Sequence, residues 1–349
     1  MSNNPELLYP SISILSFSLS WLIVRYSWKP SSLLFLLDQP NERSLHHHPT
    51  PRLGGIGIVI SFLTTWLLIL LLMNSFPQGM REILLGLVLI ATVSFYDDRK
   101  HVLPQIRLLI QFIVSALVIY GGFSITQSMI PYLDNFGTKS ILWIMTALFI
   151  VWMINLYNFM DGMDGFAGGM SVFGFFFLSL PAVFHNQVLY ACLSLAISAA
   201  SLGFLLHNFP PARIFMGDIG SASIGFLVAV FSLWGVKDGI FPLWFPLLVF
   251  SPFIVDATVT LLRRIARKEK VWIAHRSHYY QRLVQLGWGH KRTVLWEYGL
   301  MITCASSAVL ILDLSQGIQV MVLTLWLVIY FVMAISVSLL EKRVASTSI

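Results

Sequence analysis

The sequence predicts an all-α integral membrane protein: a polytopic bundle of about eleven (10–11) transmembrane helices, N-terminus periplasmic and C-terminus cytoplasmic. Three observations predict it. Of 349 residues, 57% are hydrophobic and 11% charged, with a mean hydropathy of +0.78, whereas a soluble domain carries about 25% charged residues. No water-soluble fold hides that much apolar surface, so lipid is the solvent for most of it. Apolar runs recur at close to the ~20 residues that cross the hydrocarbon, and the basic residues are segregated between alternate loops.

The first run, 7–26, follows Asn3, Asn4 and Glu6 and precedes Lys29. A signal peptide has the reverse order, a positive start and a small-residue cleavage site, so this run reads as a retained span with its start outside. Further runs fall at 54–73, 83–96, 104–122, 140–157, 166–184, 188–206, 219–235, 241–261, 296–312 and 318–340. The third is short for a span unless it continues to Asp97. No internal repeat appears, which argues against the inverted-repeat plan of many transporters. With the start outside, all but Arg81, Lys139 and Lys237 of the 22 Lys and Arg residues lie on the cytoplasmic side, as the positive-inside rule requires. The net charge of +6 follows from that bias and implies no nucleic acid. Cys192 and Cys304 lie in apolar runs and read as buried thiols, not as a disulfide or zinc framework.

The same layout brings Asp38, Asp97, Asp98, Asp161, Asp164 and Asp218 to cytoplasmic loops or helix ends, with Asn155, Asn158, His275 and His278. The chain then reads as one domain, 1–349, whose cytoplasmic loops at about 27–53, 97–104, 158–166, 207–219 and 262–295 form a single site. Carboxylates so gathered repel unless a cation or proton intervenes. A divalent cation is the simplest compensation, and hard oxygen ligands select Mg2+ or Mn2+ over zinc.

Each motif has a bland reading beside the chemical one. The first loop runs from Asp38 through Arg43, His46 and Arg52 to Gly54-Gly55. Its prolines and glycines hold an extended segment whose Arg43, His46 and Arg52 can bind phosphate oxygens; the alternative is a positive loop without chemistry. The His46–His48 run is assigned no metal. Asp97-Asp98, beside Arg99, Lys100 and Arg107, suits metal or phosphate chemistry, though a solvated turn gives the same pair. Asn155 and Asn158 share a face if their helix continues through them, and Asp161-Gly-Met-Asp164-Gly then puts carboxylates on a tight turn. A calcium loop needs further oxygen ligands and a terminal Glu, which are lacking. Asp218, between Gly217 and Gly220 at a helix start, reads as a metal or phosphate platform or as a simple N-cap. His275-Arg276-Ser-His278 suits anion recognition better than zinc. Asp256, inside the ninth span, reads as structural, paired with Arg263, Arg264 or another helix.

Taken in order, from Asp38 to about Arg282, these motifs resemble the polyprenyl-phosphate N-acetylhexosamine-1-phosphate transferase family, glycosyltransferase family 4. The first loop, 157–160 and 275–278 look most like its O-antigen-initiating undecaprenyl-phosphate GlcNAc/FucNAc-1-phosphate branch. The resemblance implies a Mg2+-dependent inner-membrane enzyme of lipopolysaccharide and cell-envelope synthesis. It would transfer HexNAc-1-phosphate from UDP-GlcNAc, or a 6-deoxy relative such as UDP-FucNAc or UDP-QuiNAc, to undecaprenyl phosphate, releasing UMP. It implies that Asn158 and Asp218 hold the metal and that Asp97 and Asp98 act on the lipid phosphate, one of them as base. His275, Arg276 and His278 would stabilise the diphosphate, with Arg43, Arg52 and Arg107 as further substrate contacts. Asn155, Asp161 and Asp164 would shape the nucleotide and metal surroundings. Some relatives have Lys in place of Arg107, which keeps the charge and not the geometry. The phospho-N-acetylmuramoyl-pentapeptide branch arranges its histidines differently, which argues against that substrate.

An ion-coupled transporter, the reading from another class, needs acids near the bilayer midplane, and here they sit at helix ends. A scaffold without activity would not need every motif position filled. The segment 263–292 is long and cytoplasmic, and is expected to read the sugar. The chain is compatible with a homodimer and does not demand one.

Overall fold

The computed structural model describes residues 5–40, 45, 48–73, 77–126, 139–270 and 275–347. In chain order they form α1 (Pro5–Ser27), β1 (Leu36–Asp38), β2 (Thr50–Arg52), α2 (Gly55–Met73), α3 (Met80–Lys100), α4 (Pro104–Tyr120) and α5 (Lys139–Met160). There follow α6 (Phe166–Phe184), α7 (Val188–Asn208), α8 (Asp218–Lys237), α9 (Trp244–Val249), α10 (Ser251–Ala266), α11 (Tyr279–Leu283), α12 (Gly289–Ile311) and α13 (Gln316–Thr347). Among the described residues, 7 helices are long and apolar enough to cross a membrane, and α2 and α4 supply shorter apolar stretches. The chain is a multi-pass, all-α membrane protein.

Helix α8 is the axis. Every residue from Ile219 to Gly235 is buried, as a helix apolar on all sides requires. It packs against α3, α5 and α2, while α1 lies on α7 and α2, and α6 on α7. Small residues set the closest approach, as in other membrane helix pairs. A Cβ on Gly55 would lie 2.2 Å from the Cα of Gly220, so α2 and α8 cross backbone to backbone at their starts. At the other extreme, α13 keeps most of its side chains outside the bundle, with Leu327 and Phe331 each 67% exposed. Its surface is an apolar face for lipid.

Three sequence boundaries shift. The short third run extends to Lys100, so Asp97 and Asp98 lie in the last turn of α3 and not beyond it. The ninth run is not continuous: Pro246 and Pro252 flank a break at Phe250 that separates α9 from α10, since proline interrupts the helix ladder. The ninth loop, expected over 262–295, is shorter. It contains α11 and ends where α12 begins at Gly289, after a wide turn over Val284–Trp288.

The first loop forms a 2-stranded antiparallel hairpin, with Leu36 opposite Arg52 and Asp38 opposite Thr50. The segment before α8 docks on its exit. Phe215 donates its N–H to the Pro51 carbonyl at 2.8 Å, and Gly54 and Gly55 donate to the carbonyls of Phe215 and Met216 at 2.9 and 2.8 Å. The start of α8 is thereby fixed against the start of α2.

Candidate active site

At the end of the bundle where α3 and α5 finish and α8 starts, a cavity of about 240 Å³ is lined by Asp38, Arg52, Asp98, Asn158, Asp161, Asp164 and Asp218. Asn208, Phe215, Gln281 and His290 complete much of the wall. The acidic motifs thus converge from separate elements, as the span layout implied.

Asp98 joins α3 to α8. Its carboxylate accepts the backbone N–H groups of Asp218 at 3.1 Å and Ile219 at 3.0 Å. A carboxylate there satisfies helix-start donors and meets the positive end of the α8 dipole. The chain turns into α8 at Gly217, whose φ of 74° and closeness to the Asp98 carboxylate both exclude a larger residue. Arg52 lies between acids, its Nη1 3.5 Å from Asp38 and its Nε 3.7 Å from Asp98.

Asp97 is buried behind the cavity wall. It accepts the Val102 N–H at 2.7 Å and a short hydrogen bond from Arg107, whose same Nη1 reaches Asp218 Oδ2 at 3.4 Å. One guanidinium therefore serves both acids. Arg107 also lines a narrow cleft with Asn158 and Asp218.

Helix α5 continues through both asparagines, and they separate in role. Asn155 donates to Gln111 Oε1 on α4 at 2.7 Å and to the Val151 carbonyl at 2.8 Å. It is a helix-to-helix clamp and does not reach the cavity. Asn158 reaches it, and its side chain makes no hydrogen bond among the described residues.

The turn after α5 is held from several directions. Asp164 Oδ2 accepts the Ala212 N–H at 3.0 Å, and Oδ1 lies 3.2 Å from His290 Nδ1. Asn208 accepts the Gly165 N–H at 2.8 Å and donates to the Ile214 carbonyl at 2.9 Å. Tyr298 donates to the Gly165 carbonyl at 2.7 Å. Asp161 differs: its carboxylate has no hydrogen bond or ion pair among the described residues. Burial, then the charges of Asp218, Asp98 and Asp164, push its pKa well above the usual carboxylate range.

The histidine motif lies apart from the lining of this cavity, which includes none of His275, Arg276 and His278. His278 is the residue before α11 and is buried, with Nδ1 3.2 Å from Asp256 Oδ1. His275 stacks on it with centroids 4.9 Å apart and bonds Ser277 Oγ at 2.8 Å. Burial, with the charges of His278 and Arg264, lowers the His275 pKa to about 4. Arg276 is exposed. His278 is turned towards Asp256, whose carboxylate also accepts the Tyr279 and Tyr280 N–H groups at 3.0 and 3.1 Å. Asp256 therefore pairs with another helix; Arg264 binds Glu269 instead, at 2.8 Å. Arg43 and His46 lie outside the described residues.

Sequence reasoning missed Asn208 as a tie between loops, and Gln281 and His290 as wall residues. Asn208 had a faint signal, standing where α7 ends ahead of Pro210-Pro211. Gln281 and His290 had none, because single polar residues near a helix start form no pattern.

Among the described residues no three His, Cys, Asp or Glu side chains are grouped to hold a metal ion alone. Mg2+ often needs no such cage, taking one or two protein oxygens and completing its shell with phosphates and water. The unpartnered Asn158 and Asp161 side chains and the Asp218 carboxylate are hard oxygen donors facing one cavity, and they fit that mode.

The glycosyl transferase family 4 model matches residues 80–236, from α3 to the end of α8. The chain is 29% identical over 311 residues to the probable undecaprenyl-phosphate N-acetylglucosaminyl 1-phosphate transferase of Bacillus subtilis, covering 88% of this chain and 86% of that one. It is 31% identical over 322 residues to the decaprenyl-phosphate N-acetylglucosaminephosphotransferase of Mycolicibacterium smegmatis, with coverage of 81% and 77%. A phospho-N-acetylmuramoyl-pentapeptide-transferase of Prochlorococcus marinus is 29% identical over 280 residues, at 74% and 75%. With likeness running along most of the chain, and Asp98, Asp161, Asp164 and Asp218 of its matched region facing one cavity, the chain belongs to glycosyl transferase family 4, the polyprenyl-phosphate N-acetylhexosamine-1-phosphate transferases.

Proposed function

We propose that this enzyme transfers an N-acetylhexosamine-1-phosphate from a UDP-sugar to undecaprenyl phosphate at the cytoplasmic face of the inner membrane, releasing UMP. The donor is UDP-GlcNAc or a 6-deoxy relative, and the product begins an O-antigen or other envelope polysaccharide. The relatives named for polyprenyl-phosphate N-acetylglucosamine transfer support the reaction class. The observation that carries it is the cavity at the bundle end, where Asp98, Asp161, Asp164 and Asp218 meet with Arg52 on the wall.

A lipid phosphate oxygen attacks the sugar-linked phosphorus; the bond to the UMP oxygen breaks, and UMP leaves with the electron pair. Such a reaction depends on positioning and on charge stabilisation more than on covalent help from the protein. Asp218 and Asn158 would hold Mg2+, with Asp161 facing them, and the ion supplies charge neutralisation for the diphosphate. Arg107 keeps Asp97 and Asp218 together, and Arg52 offers a cation beside Asp98 where a phosphate approaches. A phosphate monoester, second pKa about 6, is largely dianionic at neutral pH, so Asp97 and Asp98, both already hydrogen-bonded, position groups here and need not remove a proton. Asn208 and Asp164 keep the turn that shapes the donor side. His275, Arg276 and His278 do not line this cavity, so support of the diphosphate by His278 would be indirect, through α11 and Gln281.

The Prochlorococcus relative keeps a muramoyl-pentapeptide donor as a second reading on the same lipid chemistry. Purified protein given undecaprenyl phosphate and a panel of UDP-HexNAc and UDP-muramoyl-pentapeptide donors separates them. UMP release that needs lipid and Mg2+, fastest with a HexNAc donor, is expected. Release only with the pentapeptide donor would transfer the chain to the second reading, and release with none would remove both.

A further inference from the structure

Helix α12 has two working faces. On its inner side, His290 touches Asp164 and Tyr298 holds the Gly165 carbonyl. Among the described residues, none on its outer side lines the cavity. There Trp288, Lys291, Arg292, Leu295 and Trp296 line a groove of about 520 Å³. Their spacing of three and four residues puts them on one stripe, although Trp288 belongs to the turn just before the helix.

The chemistry of that groove is specific. Lys291 and Arg292 are exposed, and neither has a carboxylate partner among the described residues. The Arg292 guanidinium lies 4.3 Å from the Trp288 ring centroid, and the Trp288 and Trp296 rings are 6.2 Å apart. Leu295 is 50% and Trp296 64% exposed, and both continue the groove towards the apolar stretch of α12. A pair of unneutralised cations above two indoles and a leucine is polar at one end and apolar at the other. That order matches a phospholipid at the membrane–water boundary, where Trp, Lys and Arg side chains anchor. Cations near an anionic leaflet each gain about 1 kcal/mol.

The geometry points to an anionic phospholipid site on the outer face of α12, with the headgroup phosphate between Lys291 and Arg292 and an acyl chain along Leu295 and Trp296. The inner face of the same helix contacts Asp164 and the Gly165 carbonyl, so the lipid groove and the cavity wall share one helix. The inference rests on the membrane placement proposed above, and its binding test does not depend on which donor the enzyme uses.

The test is native mass spectrometry of the full chain in detergent, titrated with phosphatidylglycerol, phosphatidylcholine or undecaprenyl phosphate. Phosphatidylglycerol should bind more tightly than phosphatidylcholine. The Lys291→Gln/Arg292→Gln variant should weaken it about 30-fold, two cations at about 1 kcal/mol each. Lys342→Gln/Arg343→Gln, with the same charge loss elsewhere on that side, should leave the binding within about twofold. Phosphatidylcholine binding equally well would overturn the proposal, as would equal losses in both variants, which would mean general surface charge. Equimolar undecaprenyl phosphate displacing phosphatidylglycerol completely would assign the groove to the acceptor and overturn it too. UMP release by the wild type is followed separately, so failure of the transferase reading is distinguishable from failure of the lipid site.

Discussion

Asp98 and Asp218 are joined through backbone, Asp98 accepting the first N–H groups of α8 and Asp218 projecting from that same turn. Substituting either by Asn keeps shape and removes charge, and the two should fail differently. Asp218→Asn is expected to lower turnover by about 10³-fold, the upper end for removing one stabilising group, with an unchanged unfolding midpoint. Asp98→Asn should lower both turnover and the midpoint, because an amide nitrogen then faces an N–H donor; fluorescence-detected thermal unfolding beside the UMP assay separates the cases. His275 gives a pH signature. Its folded pKa of about 4 lies below the ordinary 6.5, so between these values the unfolded chain binds a proton that the folded chain refuses. Stability therefore falls as pH drops from about 6.5 towards 4 and is unaffected above that window. His275→Gln should flatten this part of the curve, read as the midpoint difference between pH 7.5 and pH 5. An unchanged difference would remove His275 as the source.

Between elements, the sequence announced chemistry better than partnership. Asp97, Asp98, Asp161, Asp164 and Asp218 were legible because carboxylates are scarce in an apolar chain and topology sent them to one face. The roles of Asn155 and His278 were not: Asn155 lies inside α5 with Asn158, but its partner Gln111 comes from α4, and the i and i+3 spacing of His275 and His278 predicts a shared face only inside a helix. His275 and Ser277 precede α11 and His278 caps it, so their geometry follows the loop, which no periodicity encodes. Asp256 shows the same limit. Its partners are the α11 start and Thr260, 3.1 Å away, and not the nearby arginines. Asp256→Ala should release that cap and cost about 1–2 kcal/mol, the usual range for a lost N-cap. Activity should survive at temperatures where the variant is folded, and a folded but inactive variant would place Asp256 in the chemistry. The α2–α8 crossing is stricter. Gly55→Ala puts a methyl 2.2 Å from Gly220 Cα, so the helices must separate and shift the Gly217–Asp218 turn. Overpacking costs about 1–3 kcal/mol; both the unfolding midpoint and turnover should fall, and normal values would show the crossing to be loose.

For the whole molecule, composition and hydropathy made the fold class plain, since lipid is the only solvent for such a chain, and charge bias set its expected orientation. What they could not give was the order of packing: the edge helix α13 has a mean hydropathy of 2.6 against 1.9 for the central α8, so apolarity does not rank burial and only contacts distinguish them. Orientation is tested in intact cells by single cysteines in a variant lacking Cys192 and Cys304. Gly239→Cys, in the α8–α9 connection, should react with a membrane-impermeant maleimide, and Lys268→Cys should react only after the cells are opened. The reverse pattern would put the acidic cavity outside and separate it from a cytoplasmic nucleotide sugar.

The central claim is a transfer of sugar together with its phosphate, so the most direct measurement follows the phosphorus. UDP-GlcNAc labelled at the sugar-linked phosphate, incubated with the protein, undecaprenyl phosphate and Mg2+, should pass its label into the lipid extract while unlabelled UMP appears in the aqueous phase. If GlcNAc proves not to be the donor, the same label is placed in whichever UDP-HexNAc gives the fastest UMP release. Label left in the aqueous phase as UDP while sugar enters the lipid, or no transfer from any donor, would contradict the account.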